Sequence, residues 1–224
     1  MRNVASDGFC IVEAVLDQHE VTRLIELIDR EAQVDAGRGG VRNLLDIPAM
    51  RELAGSAAVV AMVEPILGSS RKVVRGTLFD KTSVANWKVP WHQDCTIAVV
   101  EKFHVEGYGP WSMKAGVVHV QPPASVLEQM VSVRLHLDDC PEANGALRVI
   151  GGSHRMGKIP EVQIAEIVTW GRDEVCEVGV GGALVMRPLL VHRSSPAVVP
   201  GHRRVLHFDF AAKELEGGLR WAAG

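Results

Sequence analysis

The change of hydrophobic period at Lys72 constrains this 224-residue chain more than any other feature. Before it, apolar residues recur at helical spacing. After it, they come in short runs punctuated by Gly, Pro, Asn and Asp. In residues 17–32, Val21, Leu24, Ile25 and Ile28 mark one helix face, with Asp17 as N-cap and Glu20 three residues on, the pattern of a capping box. A second helical block covers residues 57–67 and stops at Gly68, and a short strand at residues 8–12 precedes both. From Lys72 onward VVRGTLFDKT, VSVRLHLDD, GALRVI, GGALVMRPLLVHRSS and HRRVLHFDFA read as strands, with a short helix around residues 161–169. Helices followed by many short strands predict an α+β chain, mainly β, whose second part is a β-sandwich or barrel. The length fits one domain over 1–224, with a helical part to about residue 70 and a strand-built core from about 71 to 212.

Composition narrows the partners. With 47% hydrophobic and 23% charged residues and a net charge of −3, the chain is an ordinary packed globule, and neither nucleic acid nor an anionic membrane is an expected partner. Cys10, Cys95, Cys140 and Cys176 are far apart and form no CxxC pair, so neither a zinc knuckle nor a disulfide framework is expected. The start MRNVASDGF lacks an apolar leader, and no run approaches the roughly 18 uncharged residues of a membrane span. A cytoplasmic protein is the expectation.

The stretch VPWHQDCTIAV, residues 89–99, sets His92 and Asp94 two apart in a strand-like run, so their side chains should share a face while Gln93 takes the other. The HxD pattern recurs at His136/Asp138 and His207/Asp209, so by itself it chooses no site. A second cluster, RPLLVHRSSPAVVPGHRRVLHF, raises the first pair: His192 can complete two histidines and one carboxylate, the facial triad of non-haem Fe(II) oxygenases. That triad leaves three metal positions open, two for a chelating keto acid and one for dioxygen. Eleven residues after His192 stands Arg203, whose planar guanidinium suits the far carboxylate of a dicarboxylic acid, and Ser194 shares the face of His192. Arg204 has the opposite parity to Arg203, so one of the two should point inward.

WHQD, the distal His192, the spacing to Arg203, Asn144–Gly145 and the GGSH run before them together resemble the phytanoyl-CoA dioxygenase family, from the opening GFCIVEAVLD through Phe210. The resemblance implies a double-stranded β-helix, a cupin-like jelly roll, with the N-terminal helices packed on one sheet. It implies His92, Asp94 and His192 as ligands of Fe(II) and Arg203 with Ser194 as the clamp for 2-oxoglutarate. It further implies hydroxylation of a C–H bond in a small-molecule substrate, with succinate and carbon dioxide released; related halogenases replace the carboxylate, which Asp94 retains. GGSH stands where the family more often has PGSH, a change confined to a turn. A cupin-like binding module without turnover and a zinc hydrolase are the competing readings.

Four further expectations attach to this reading. In VSVRLHLDD an outward apolar face would turn Arg134 and His136 into the interior, as candidates for holding substrate or co-substrate. Lys81 is a candidate carboxylate contact. His207 and Asp209 are expected as a structural pair near the barrel end. The insert YGPWSMKAGVVHVQPP is expected to cover the site, with Trp111 and His119 as candidate substrate contacts and Trp87 and Trp91 nearby.

Overall fold

The boundary at Lys72 separates the N-terminal helices from most of two facing antiparallel sheets, to one of which two short strands before Lys72 add the edges. The computed structural model describes residues 2–32, 40–199 and 201–223. Its strands are β1 (Phe9–Val12), β2 (Gly40–Val41), β3 (Lys72–Lys81), β4 (Val89–His92), β5 (Ile97–Val99), β6 (Trp111–Lys114), β7 (Val117–Val120), β8 (Met130–His136), β9 (Leu147–Ile150), β10 (Asp173–Cys176), β11 (Ala183–Met186), β12 (His192–Ser194) and β13 (Arg203–Ala211). The α-helices are α1 (Gln18–Glu31), α2 (Pro48–Ala54), α3 (Ala57–Leu67), α4 (Ala124–Leu127) and α5 (Glu161–Trp170).

One sheet has the order β1-β11-β8-β13-β3-β2 and the other β10-β9-β12-β4. From β3 the chain passes back and forth between them, with β3, β8, β11 and β13 in the larger sheet and β4, the β9–β10 pair and β12 in the smaller. That is the double-stranded β-helix, or jelly roll. A third sheet, β5-β7-β6, is built largely from the Gly/Pro-rich insert.

Strand parity gives the larger sheet two unlike faces. Val131, Val133 and Leu135 of β8 and Leu206, Phe208 and Phe210 of β13 pack with Val21, Leu24 and Ile28 of α1 and Val59 and Val63 of α3. Burying this face removes it from water at about 25 cal/mol per Å2 of apolar surface, which is what docks the helices. The opposite face carries Arg75, Lys81, Ser132, Arg134, Arg203, His207 and Asp209 into the space between the sheets. The N-terminal helices sit on one sheet, as expected.

Local signals account for the helix ends. The Asp17 carboxylate accepts from the Glu20 N–H at 2.8 Å and the Glu20 carboxylate from the Asp17 N–H at 2.9 Å, closing the capping box. Ser56 caps α3, and Gly68 ends it with φ of 80°. A third helix, α2, lies between the two helical blocks read from periodicity and carries Pro48 in its first turn.

Two runs read as single strands are each split between sheets. GGALVMRPLLVHRSS becomes β11 and β12, and the chain crosses through Pro188. VPWHQDCTIAV becomes β4 and β5, so Asp94 lies just beyond a strand end rather than within one. Pro200 and Gly201, which read as a turn between the strands carrying His192 and Arg203, fall partly outside the described residues, at Pro200. Among the described residues no helix is long and apolar enough to cross a membrane.

Candidate active site

β4 and β12 are antiparallel neighbours with His92 and His192 as Cα partners, which brings the early and late halves of the motif to one point. The two rings are 4.2 Å apart between centroids. Asp94 reaches both: Oδ1 is 3.7 Å from His92 Nε2 and Oδ2 is 3.7 Å from His192 Nε2. The loop carrying Asp94 is fixed by its own N–H, which donates to the Pro188 carbonyl at 2.9 Å. Gln93 fixes it from the other side. Its side-chain amide donates to the carbonyls of Leu189 at 2.6 Å and Gly157 at 2.9 Å and accepts from the Ile159 N–H at 2.8 Å.

Each imidazole is held in a single tautomer. His92 Nδ1–H donates to the Pro90 carbonyl at 2.9 Å and His192 Nδ1–H to the Leu190 carbonyl at 2.8 Å. A carbonyl only accepts, so both Nε2 lone pairs face the Asp94 carboxylate. One donor atom from each of the three residues lies within 4.8 Å of the others. Two oriented imidazoles and a carboxylate on one side of a point, with a cavity on the other, fit an Fe(II)-type donor set. Burial lowers His192 to about 4, against the pull of Asp94. Burial also opposes the charged form of His92, but Asp94 outweighs it and the net direction is upward. Asp94 is held well below the usual carboxylate range, since the two histidines together overcome its burial.

The triad opens on a cavity of about 420 Å3. At one end of the cavity lie Arg203, Ser194 and Arg134, with Lys81 outside the lining, behind Ser194. Arg203 and Lys81 are Cα partners on β13 and β3, so both reach the interior together. Lys81 Nζ donates to Ser194 Oγ at 3.1 Å and to the Ser195 carbonyl, 5.5 Å from the Trp87 ring centroid. Burial, then repulsion from Arg203, lowers its amine to about 7. Arg203 donates through Nη1 to the Gly145 carbonyl. Gly145 has φ of 73°, and a Cβ there would lie 2.4 Å from the Ser195 carbonyl oxygen, which is why Asn144–Gly145 forms this turn. Burial, then Arg203, lowers Arg134 to about 10. The Nε atoms of Arg134 and Arg203 are buried without a partner among the described residues. Crowded cations with orphaned donors fit a bound dicarboxylate, which would pair them.

The floor of the cavity holds a network that the sequence reading placed elsewhere. His207 and Asp209 are paired at 2.8 Å, but they face the interior in the middle of β13 instead of standing near a barrel end. Asp209 also accepts from Arg75 Nε at 2.5 Å and from Ser132 Oγ at 2.5 Å. Arg134 Nη1 donates to His207 Nδ1 at 2.9 Å, so the His207 proton sits on Nε2. Arg204 points outward onto Asp138 at 2.7 Å, and parity does separate the two arginines.

Other candidates are not brought to the cavity. His136 is buried without ring partners among the described residues and does not line it; burial first, then Arg134, lowers it to about 3. Trp111 packs against the Ile97, Val99 and Val120 cluster, Trp91 packs beside the Ile150 and Ile164 cluster, and His119 lines a smaller neighbouring cavity of about 100 Å3. Trp87 does line the main cavity, and the insert contributes Lys114 and Gln121 to it. Arg75 and Lys114 carry no motif, and Gln93, inside WHQD, is expected from the sequence only to face away from the pair. Only the inward parity of Arg75 in VVRGTLFDKT hinted at any of them.

Solved structures share this fold at low identity. The α-ketoglutarate-dependent epimerase SnoN from nogalamycin biosynthesis superposes with a TM-score of 0.70 at 19% identity, covering 93% of this chain and 77% of its own. HygX from Streptomyces hygroscopicus, with nickel and 2-oxoglutarate bound, gives 0.67 at 18%, covering 96% and 89%. The carbocyclase SnoK from nogalamycin biosynthesis gives 0.72 at 14%, covering 99% and 84%. At these identities the likeness is one of fold. No curated protein matches the chain by sequence. A family model, phytanoyl-CoA dioxygenase (PhyH), matches residues 4–205, a span that takes in the triad, the arginine and both sheets, and the chain belongs to that family.

Proposed function

We propose that this chain is an Fe(II)- and 2-oxoglutarate-dependent oxygenase acting on a small organic substrate, most simply as a C–H hydroxylase releasing succinate and carbon dioxide. The carrying observation is the convergence of His92, Asp94 and His192, with both Nε2 atoms free, beside a pocket lined by Arg203, Ser194 and Arg134, with Lys81 bonded to Ser194 from behind. In this reading the three triad residues hold the iron, and Arg203 with Ser194 grips the distal carboxylate of 2-oxoglutarate. Bound iron with 2-oxoglutarate supplies the means of activating dioxygen for attack on a C–H bond. The protein's part is position and electrostatics. The Pro90 and Leu190 carbonyls orient the imidazoles, and Lys81 and Arg134 add positive charge behind the carboxylate clamp. Lys114 of the β6–β7 hairpin and the adjoining Gln121 line the cavity, and in this reading the hairpin limits water there.

Family membership supports the chemistry, and neighbours crystallised with 2-oxoglutarate and with nickel or iron, among them SnoN and HygX, support the cofactor pair. The neighbours include an epimerase and a carbocyclase, so the same centre serves several outcomes, and hydroxylation is the reading favoured by Asp94 as a retained ligand. We take residues 1–224 as one catalytic domain of a cytoplasmic protein. The test is succinate formation from 2-oxoglutarate with Fe(II) and dioxygen, across a broad panel of small molecules. Substrate-stimulated succinate release is expected. A protein that binds iron yet consumes no 2-oxoglutarate with any compound fails the proposal.

A further inference from the structure

The cavity has a second cationic end that 2-oxoglutarate does not use. Register sets it apart from the first. On β3 and β13 the inward pairs run from Lys81/Arg203, through Phe79/Val205 and Thr77/His207, to Arg75/Asp209. Six residues of strand separate Arg203 from Asp209, roughly 20 Å at 3.3 Å per residue. At the far end Arg75 donates through Nη1 to the Thr96 carbonyl at 3.1 Å, and Lys114 Nζ donates to Thr96 Oγ1 at 3.4 Å. Thr96 follows Asp94 by two residues, so this end adjoins the triad from the side away from Arg203. Arg42 lines the same cavity there.

The charges at this end are not balanced. Arg75 is matched by Asp209 at 2.5 Å. Among the described residues, neither Arg42 nor Lys114 has a carboxylate partner, and Asp94 is the only acidic side chain lining the cavity. Partial burial lowers both cations and Arg75 repels both, with Asp94 offsetting this only in part, an arrangement that a further anion would relieve. The nearby lining is polar, from Thr77, Thr96 and Gln121, while Phe79, Trp87, Val89 and Leu147 belong to the Arg203 end of the cavity. The polar lining of the main cavity at this end suits a compact hydrophilic acid.

We propose that the primary substrate carries an anionic group, a carboxylate or a phosphate, which Arg42 and Lys114 grip so that the adjoining carbon lies beside the His92–Asp94–His192 centre. This rests on the reading of that centre as an iron site with 2-oxoglutarate held at Arg203. Arg42 and Lys114 act in it as specificity-determining residues.

The test uses the full chain loaded with Mn(II) and saturated with 2-oxoglutarate, which fills the Arg203 end. Two matched pairs of probes are titrated: lactate against lactamide, and glycerol 3-phosphate against glycerol. Binding is read from the metal-induced relaxation of probe protons, which also reports nearness to the centre. At least one anion is expected to bind about tenfold more tightly than its neutral counterpart, and that preference is expected to shrink at high salt. Whichever pair shows it identifies carboxylate or phosphate. Lys114→Gln and Arg42→Gln, separately, are expected to abolish the preference while leaving 2-oxoglutarate binding unchanged, and Lys114→Arg to restore it. Anions that bind no better than their neutral partners, including the case where no probe binds, overturn the proposal, as does a preference that survives both Gln substitutions. A separate titration of 2-oxoglutarate into the same Mn(II) protein isolates the underlying reading: failure there counts against the iron and 2-oxoglutarate assignment, and success there with no anion preference counts only against this one.

Discussion

His92 and His192 are Cα partners across β4 and β12, and each donates its Nδ1 proton to the carbonyl two residues before it. Identical second contacts on paired strands turn both Nε2 atoms to Asp94 without help from any distant residue. Outer partners of this kind are worth about 10–100-fold in metal affinity, and losing a ligand costs more. His192→Ala is therefore expected to lower Fe(II) affinity by more than about a hundredfold, measured by chelator competition, with His92→Ala and Asp94→Ala alike.

Lys81 gives a proton-linked signature. Its amine is lowered from 10.5 to about 7 by burial and then by Arg203. A dicarboxylate favours the ammonium form and raises that value, so binding draws in a proton wherever the free amine is neutral. Calorimetry in buffers of different ionisation enthalpy is expected to show proton uptake with 2-oxoglutarate at about pH 8, falling away below pH 7 where the amine is already charged. Lys81→Met should remove it.

Asp209 ties the floor together. Burial alone would raise its carboxyl, but Arg75 and then His207 outweigh that and hold it well below the usual range. Such a group contributes stability that is full above its unfolded value of about 3.9 and is lost as pH falls toward the folded value. Asp209→Asn leaves Arg75 buried without its counter-charge. At neutral pH it is expected to cost about 3–5 kcal/mol, or roughly 10 °C in Tm. The difference from the parent protein should shrink below about pH 4. Thermal unfolding across pH checks both.

Gln93 carries three hydrogen bonds that hold the loop between His92 and Asp94. At about 1 kcal/mol each, Gln93→Leu is expected to cost about 3 kcal/mol and to weaken Fe(II) binding without touching a ligand. Denaturant unfolding and chelator competition measure the two effects.

How much of this was legible beforehand follows the range of each contact. The helix ends were local: Asp17 with Glu20, and Gly68, are readable from a few neighbours. His92, Asp94, His192 and Arg203 were legible as a spaced set of uncommon residue types, although Asp94 reaches the site from a loop and not by strand alternation. The inward turn of Arg134 followed from the apolar parity of Val131, Val133 and Leu135. Arg75 with Asp209, separated by 134 residues, depends on the register of β3 against β13, which no local pattern carries. The same register moved His207 from an imagined barrel end to the cavity floor. Lys114 and Gln121 reach the cavity because the insert folds as a hairpin, a pairing that its Gly and Pro residues concealed.

Anaerobic titration of 2-oxoglutarate into the purified protein, with and without Fe(II), tests the central claim most directly when repeated on Arg203→Ala. The account predicts one tight equivalent that requires iron, and a loss of about a hundredfold in the variant with Fe(II) stoichiometry intact. Iron lost from Arg203→Ala as completely as from His92→Ala, or 2-oxoglutarate binding indifferent to both iron and Arg203, would contradict it.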